Sequence, residues 1–299
     1  MEEYEKNQLV KQRLSLIETA IYCKDDSKVK SLLSLINDGK YVSVDTETYN
    51  TTVGYEAFDP LLPGAGLRLV QIEADDQIVA FDIKYLSQNS KSLIADFLSN
   101  PNKVFIFQNA KFDVKWLKVH LGVKKFHKIY CTMIGSQICS AGQVQYGHSL
   151  QDQVLKEFEH YLDKSQGTSN WGTIELTEQQ LKYAVTDTVF LKPLRRVQVE
   201  KIKKDKLIET VEINLSSIEA YAYMELCGFK LRKERWLKIA ERNRWRAIRM
   251  EEKISNFLAP SAGLFRDVPT FKVSSPIQLK KALKTAGYEI PIRFDPKKK

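Results

Sequence analysis

Residues 40–47, KYVSVDTE, decide the fold of this chain. Val42, Val44 and Thr46 alternate with Ser43, Asp45 and Glu47, and a period of two in a β-branched run predicts a strand. On such a strand Asp45 and Glu47 point the same way, so one cation can touch both. Acid-x-acid spacing alone is common and recurs at Glu3/Glu5, Glu73/Asp75 and Glu157/Glu159. Context separates the first pair. Asp45 ends an apolar strand, where two carboxylates are costly unless paired or metal-bound, whereas the others fall in helical or turn-like surface stretches.

Outward from this strand, residues 68–74 (RLVQIEA) and 77–82 (QIVAFD) alternate in the same way around an Asp75-Asp76 turn, which predicts a hairpin beside the first strand. Residues 91–98 have helical period, 103–107 (KVFIF) form a short buried strand, and 110–121 return to helical period. From residue 132 to about 197 helix follows helix, interrupted by a polar surface loop at 164–172, KSQGTSNWG. Residues 1–40 read as helical, with apolar positions such as Leu9, Leu14, Ile17 and Ile21 at mixed three and four spacing. Beyond Lys192 long charged helices are expected at 209–226 and 232–257, then a loop marked by Pro260, Gly263 and Pro269. The expectation is an α/β fold, a mixed central sheet flanked by helices, followed by a smaller, mainly helical basic region. Its segments are 1–39, 40–195 and 196–299.

At 299 residues and 43% hydrophobic content the chain can bury a core, so disorder is excluded as the default. No apolar run reaches the roughly 18 residues of a membrane span, and the opening MEEYEKNQ is too acidic for a signal or transit peptide. A soluble, intracellular protein is expected, with no membrane partner. Cys23, Cys131, Cys139 and Cys227 share no zinc-ligand spacing with one another or with His120, His127, His148 and His160, so reduced thiols and structural histidines are expected. The charge is uneven. Residues 1–191 carry 20 Lys and Arg against 24 Asp and Glu, and residues 192–299 carry 26 against 13. One half suits cation binding, and the other suits phosphate backbones or is simply a solvated helical surface. Lys201, Lys203, Lys204, Arg242, Arg244, Arg246 and Arg249 are spread over more than one helix face and suit non-specific binding.

Two more pairs carry chemistry. Asn109 and Asp113 straddle the start of the helix after KVFIF; Asn109 either caps that helix or meets a ligand, and Asp113 either complements the helix dipole or joins a site. Tyr183 and Asp187, in LKYAVTDTVFL, are an i, i+4 pair on one helix face, a spacing also seen at Tyr41/Asp45 and Tyr55/Asp59. Phosphodiester hydrolysis would explain four acids and a tyrosine together. Two cations roughly 3.5 to 4 Å apart relieve the repulsion between phosphate and hydroxide, one activating water and one stabilising the leaving 3′ oxygen. Hard ions such as Mg²⁺, with Mn²⁺ as substitute, take oxygen ligands. Crowded carboxylates raise one another's pKa, so such a site works poorly in acid. Tyr183 would aim the attacking water. Lys111 and Thr46 are further candidates for touching nucleic acid. Trp171 stacks on an unpaired base or covers a helix edge.

Together these residues resemble the DEDD exonuclease superfamily, tyrosine subclass, and specifically the proofreading domain of family A DNA polymerases. Residues 148–194 are similar to that family's S-L-x-x-L, Y-L, K-S, W, L-T-x-x-Q-L-x-Y-A-x-x-D segment. The resemblance implies an RNase H-like fold. Asp45, Glu47 and Asp187 would ligate metal, Asp113 would support a second metal through water, Tyr183 would position the nucleophile, and Asn109 would lie near the terminal nucleotide. Residues 213–231 and 271–283 are similar to the entry into the polymerase thumb, but no palm or finger motif follows, so no polymerase active site is expected. Two departures are Cys131, where the family often has Asp, and a loop between Glu47 and Arg68 without the aliphatic residue that wedges the terminal base. The leading expectation is a DNA 3′-to-5′ exonuclease acting on a single-stranded 3′ end, with a polymerase in cis or in trans. The alternatives are an RNA-trimming enzyme of the ribonuclease D type and an inactive nucleic-acid-binding module.

Overall fold

The computed structural model describes residues 3–52, 59–140, 147–167, 169–258 and 272–290. The chain opens with α1 (Glu3–Glu18), β1 (Ile21–Cys23) and α2 (Asp26–Leu35). Strands β2 (Tyr41–Asn50), β3 (Ala65–Ala74) and β4 (Gln77–Asp82) follow, then α3 (Gln88–Leu98), β5 (Val104–Phe107), α4 (Ala110–Leu121) and β6 (Ile129–Cys131). Their order in the sheet is β1-β4-β3-β2-β5-β6. The β2-β3 and β3-β4 pairs are antiparallel; β1 with β4, β2 with β5 and β5 with β6 are parallel. Helices α5 (Thr132–Ser140), α6 (Leu150–Phe158), α7 (Glu178–Val189), α8 (Leu191–Lys204), α9 (Ile208–Ser216) and α10 (Ile218–Cys227) complete this part.

The sheet is central because both of its faces are apolar. Val42, Val44, Val70, Ile72, Phe81, Phe105 and Phe107 pack with Val29 and Leu33 of α2, Ile94 and Leu98 of α3, and Val114 and Leu117 of α4. Ile78, Ala80 and Ile106 pack on the opposite side with Val154 of α6, Val185 and Val189 of α7, and Leu191 and Leu194 of α8. Alternation along β2 sends Val42 and Val44 to the first side, so Ser43, Asp45 and Glu47 project to the side of α7 and α8.

Several boundaries differ from expectation, each for a local reason. The N-terminal helical run is broken by β1, three residues too short to show a period of two, which adds to the sheet edge along β4. Strand β2 runs on to Asn50, so Asp45 and Glu47 lie within it opposite Gln71 and Leu69, and the register shifts between Glu47 and Thr48. The helix expected at 209–226 is two helices meeting at Ser217. The chain divides into units Met1–Gly228 and Phe229–Lys299 instead of at residue 195, where the charge changes. Charge reports the exposed face, and burial sets the boundary. Ile218 and Ala222 of α10 enter the first core, Glu219 meets Lys118 at 2.8 Å, and Glu225 pairs with Lys111 and Lys115 of α4.

The second unit holds α11 (Lys233–Leu258), none of whose residues is buried, and α12 (Pro276–Thr285), capped by Ser275. The Pro260, Gly263 and Pro269 loop, Tyr55 and the terminal lysines lie outside the described residues. Among the described residues no helix is long and apolar enough to cross a membrane. All four cysteines are free, with Cys23 and Cys131 buried, Cys139 half-buried and Cys227 exposed.

Candidate active site

Three elements bring the expected residues together. Strand β2 supplies Asp45 and Glu47, both half-buried and directed toward α7. Helix α7 begins at a Thr177–Gln180 capping box, which satisfies backbone donors from both sides and fixes where the helix starts. Ala184, Val185, Thr188 and Val189 bury one side of α7, and Tyr183 and Asp187 stand one turn apart on the helix, where each shifts the other's titration. Helix α4 supplies Asp113 from its first turn, buried, with Oδ1 accepting a hydrogen bond from Thr46 Oγ1 at 2.7 Å. Thr46 thus acts through Asp113, on the opposite side of β2 from Asp45 and Glu47.

The acids lie close enough for their charges to act on one another. Burial pushes the Asp45 carboxyl well above the usual carboxylate range, and the charges of Asp113 and Asp187 push it further. Glu47 is raised by burial, then by Asp45 and Asp187. Asp113 is pushed up to about 7 by burial, against the stabilising bond from Thr46. Asp187 is raised by burial, with an opposing pull from Lys164. Burial also raises the Tyr183 phenol, helped by Asp187, Glu47 and Asp45, so this hydroxyl stays protonated and acts as a hydrogen-bond donor.

Lys164 joins the site from outside the periodic segments, although the K-S pair of the family pattern marks it. Its Nζ lies 2.6 and 2.8 Å from the two Asp187 oxygens and 5.3 Å from the centre of the Tyr183 ring. The loop that carries it is fixed from below. Arg68, fully buried, is held by Asp82 at 3.0 Å and donates to the backbone oxygens of Trp171, Thr173 and Ile174. Tyr22 donates to the same Asp82. Gln180 of α7 donates to Ser169 Oγ at 3.1 Å and Asn170 O at 3.2 Å, and a Cβ on Gly167 would come within 3.0 Å of the Tyr183 hydroxyl. Trp171 is buried against Leu69, Tyr183 and Ala184, which is the covering role.

Asn109 does not cap α4. It adopts a left-handed conformation, φ 56° and ψ 45°, makes no side-chain capping bond and is exposed. Asparagine tolerates this region better than most residues. Lys111 is paired with Glu225 rather than with the carboxylates. Cys131 Sγ accepts from Ala110 N at 3.4 Å, placing the departure from the family pattern under the start of α4. Three of the histidines serve packing and local bonds: His120 stacks on Trp116, His160 on Phe190, and His148 shares a 2.9 Å hydrogen bond with Ser136.

The donor set suits a hard divalent cation in kind, being all oxygen and carrying mutually repelling charge. Among the described residues no group of three or more His, Cys, Asp or Glu stands arranged to hold one ion. Both oxygens of Asp187 face Lys164 instead.

Comparison with known proteins finds relatives in sequence and in fold. The chain is 24% identical over 247 residues to ribonuclease D of Bartonella henselae, an alignment covering 79% of this chain and 56% of that protein. It is 29% identical over 173 residues to DNA polymerase I of Aquifex aeolicus, covering 58% of this chain and 26% of that one. The chain thus spans about half, or less, of the length of these curated relatives. In fold it is similar to Brucella melitensis NrnC with bound Mg²⁺, at a TM-score of 0.53 and 20% identity over 64% of this chain and 88% of that one. Residues 20–197 match the 3′-5′ exonuclease family profile, and the chain belongs to that family.

Proposed function

We propose that the protein removes nucleotides from a single-stranded 3′ end by metal-dependent hydrolysis, and that RNA is its substrate. The observation that carries the hydrolytic reading is the convergence of Asp45, Glu47, Asp113 and Asp187, each with its carboxyl raised by burial and the first two also by neighbouring acids. Asp45, Glu47 and Asp187 would hold one or two Mg²⁺ or Mn²⁺ ions, with Asp113 supporting the second through water. When bound, such ions would supply hydroxide at neutral pH and offset charge on the leaving oxygen. Tyr183 orients the water that attacks the terminal phosphodiester, through a hydroxyl kept protonated by its surroundings. Thr46 holds Asp113, and Asn109, exposed at the start of α4, is available to the terminal nucleotide.

The preference for RNA is supported by ribonuclease D relatives whose alignment runs beyond the exonuclease segment. A DNA substrate, and with it a proofreading role beside a family A polymerase, is supported by the higher identity to the Aquifex polymerase. Incubation with 5′-labelled RNA and DNA strands of one sequence, in Mg²⁺ and in Mn²⁺, separates these readings. Faster shortening of RNA from its 3′ end is expected. A DNA preference that sharpens at a 3′ mismatch would transfer the assignment to proofreading, and binding without cleavage would leave a binding module.

A further inference from the structure

Lys164 is a cation already seated among the carboxylates. Its ammonium contacts both oxygens of Asp187, and its charge opposes the upward push on Asp45 and Glu47. The contact is only partly screened, since the side chains retain 30% and 16% of their exposure. Its backbone is anchored, because Gly167 N donates to Lys164 O at 3.2 Å and Gly167 packs under the Tyr183 hydroxyl. The ammonium itself sits at the end of a four-carbon stem and can move while the loop stays still.

We propose that Lys164 is a resident counter-ion that exchanges with divalent metal: the ammonium balances Asp187 in the metal-free protein and leaves it when an ion binds there. This rests on the metal-dependent reading above. Two positive groups cannot share Asp187 at hydrogen-bond distance in a half-buried site without strong repulsion. The ammonium gives the Asp187 carboxylate a positive partner on both of its oxygens. The exchange weakens apparent metal affinity by the fraction of molecules in which Asp187 is free. The benefit is a site that remains folded between ion-binding events.

The test is calorimetric titration of Mn²⁺ into the full chain, without nucleic acid, for wild type, Lys164→Met, Lys164→Gln and Lys164→Arg. If Asp187 is free about one-tenth of the time, the neutral variants bind Mn²⁺ about tenfold more tightly, while Lys164→Arg keeps wild-type or weaker affinity. The neutral variants also melt at lower temperature without metal and gain more from Mn²⁺ than wild type does. Unchanged or weaker Mn²⁺ binding in a folded Lys164→Met or Lys164→Gln protein overturns the exchange while leaving metal dependence intact. If wild type binds neither Mn²⁺ nor Mg²⁺, the metal reading itself fails, and the exchange with it.

Discussion

Asp45 and Glu47 were readable as a pair because a strand's side chains repeat every two residues, and residue-scale predictions begin there. Asp45→Ala or Glu47→Ala should lower kcat by at least about 10³-fold with the fold retained, since each removes a charged ligand from a site whose chemistry depends on it. Near-wild-type turnover by either variant would disconnect the cluster from catalysis. Thr46 is a subtler case. Thr46→Val removes the 2.7 Å hydrogen bond to Asp113, so the Asp113 carboxyl should rise above about 7 and the acid limb of the pH-rate profile should move to higher pH. An unmoved profile would mean that Thr46 only packs. Lys164 is not legible at this scale because a lysine in a polar loop has no periodicity, and its partner Asp187 is 23 residues away.

At the scale of elements, the loop between α6 and α7 is positioned by a charge inside the protein. Arg68 joins β3 to the carbonyls after Trp171, and Asp82 keeps that guanidinium paired in a buried setting. Removing one partner of such a pair typically costs about 3–5 kcal/mol. Arg68→Met should therefore lower the melting temperature and raise proteolysis within residues 161–176 above that elsewhere, as limited trypsin digestion followed by mass spectrometry would reveal. Uniform loss of protection would assign Arg68 to the core instead. Helix α11 offers a separate test. With 3.6 residues per turn, Arg235, Lys238, Arg242, Arg246, Arg249 and Lys253 fall within about 80° of one another around its axis, while Arg244 falls outside. The basic residues of this helix are thus more focused than their spacing in the chain suggests. Changing Arg242, Arg246 and Arg249 to Glu should weaken single-strand binding and reduce its log-log salt dependence by about 2, at roughly 0.7 per phosphate contact. An unaltered salt slope would leave this face merely solvated.

For the molecule as a whole, proton and metal linkage should act in opposite directions. Burial raises the folded-state pKa of Asp45, Glu47, Asp113 and Asp187, so the native protein holds these protons more tightly than the unfolded chain. Stability without divalent ions should then fall as pH rises from about 4, the ordinary carboxylate value, and for Asp113 the fall is complete above about 7. Mn²⁺ should restore the melting temperature at pH 8 and do little at pH 5, where the ligands are protonated. A Mn²⁺ effect larger at pH 5 would contradict this assignment. The architecture was legible wherever long periodic segments coincide with burial, as in β2, the β3-β4 hairpin and α4. What was not legible depended on contacts distant in sequence: β1 is defined by its pairing with β4, and the extent of the first unit by Ile218 and Ala222 reaching the core.

The distribution of the free thiols has a practical consequence. Cys23 and Cys131 are buried, with thiols raised chiefly by burial, and Cys139 is half-buried and also raised, so all three should react slowly with alkylating reagents. Cys227 is exposed and stands one residue before the end of the first unit. A maleimide dye should therefore attach there first, giving the natural sequence a single fluorescent reporter beside the junction that precedes α11.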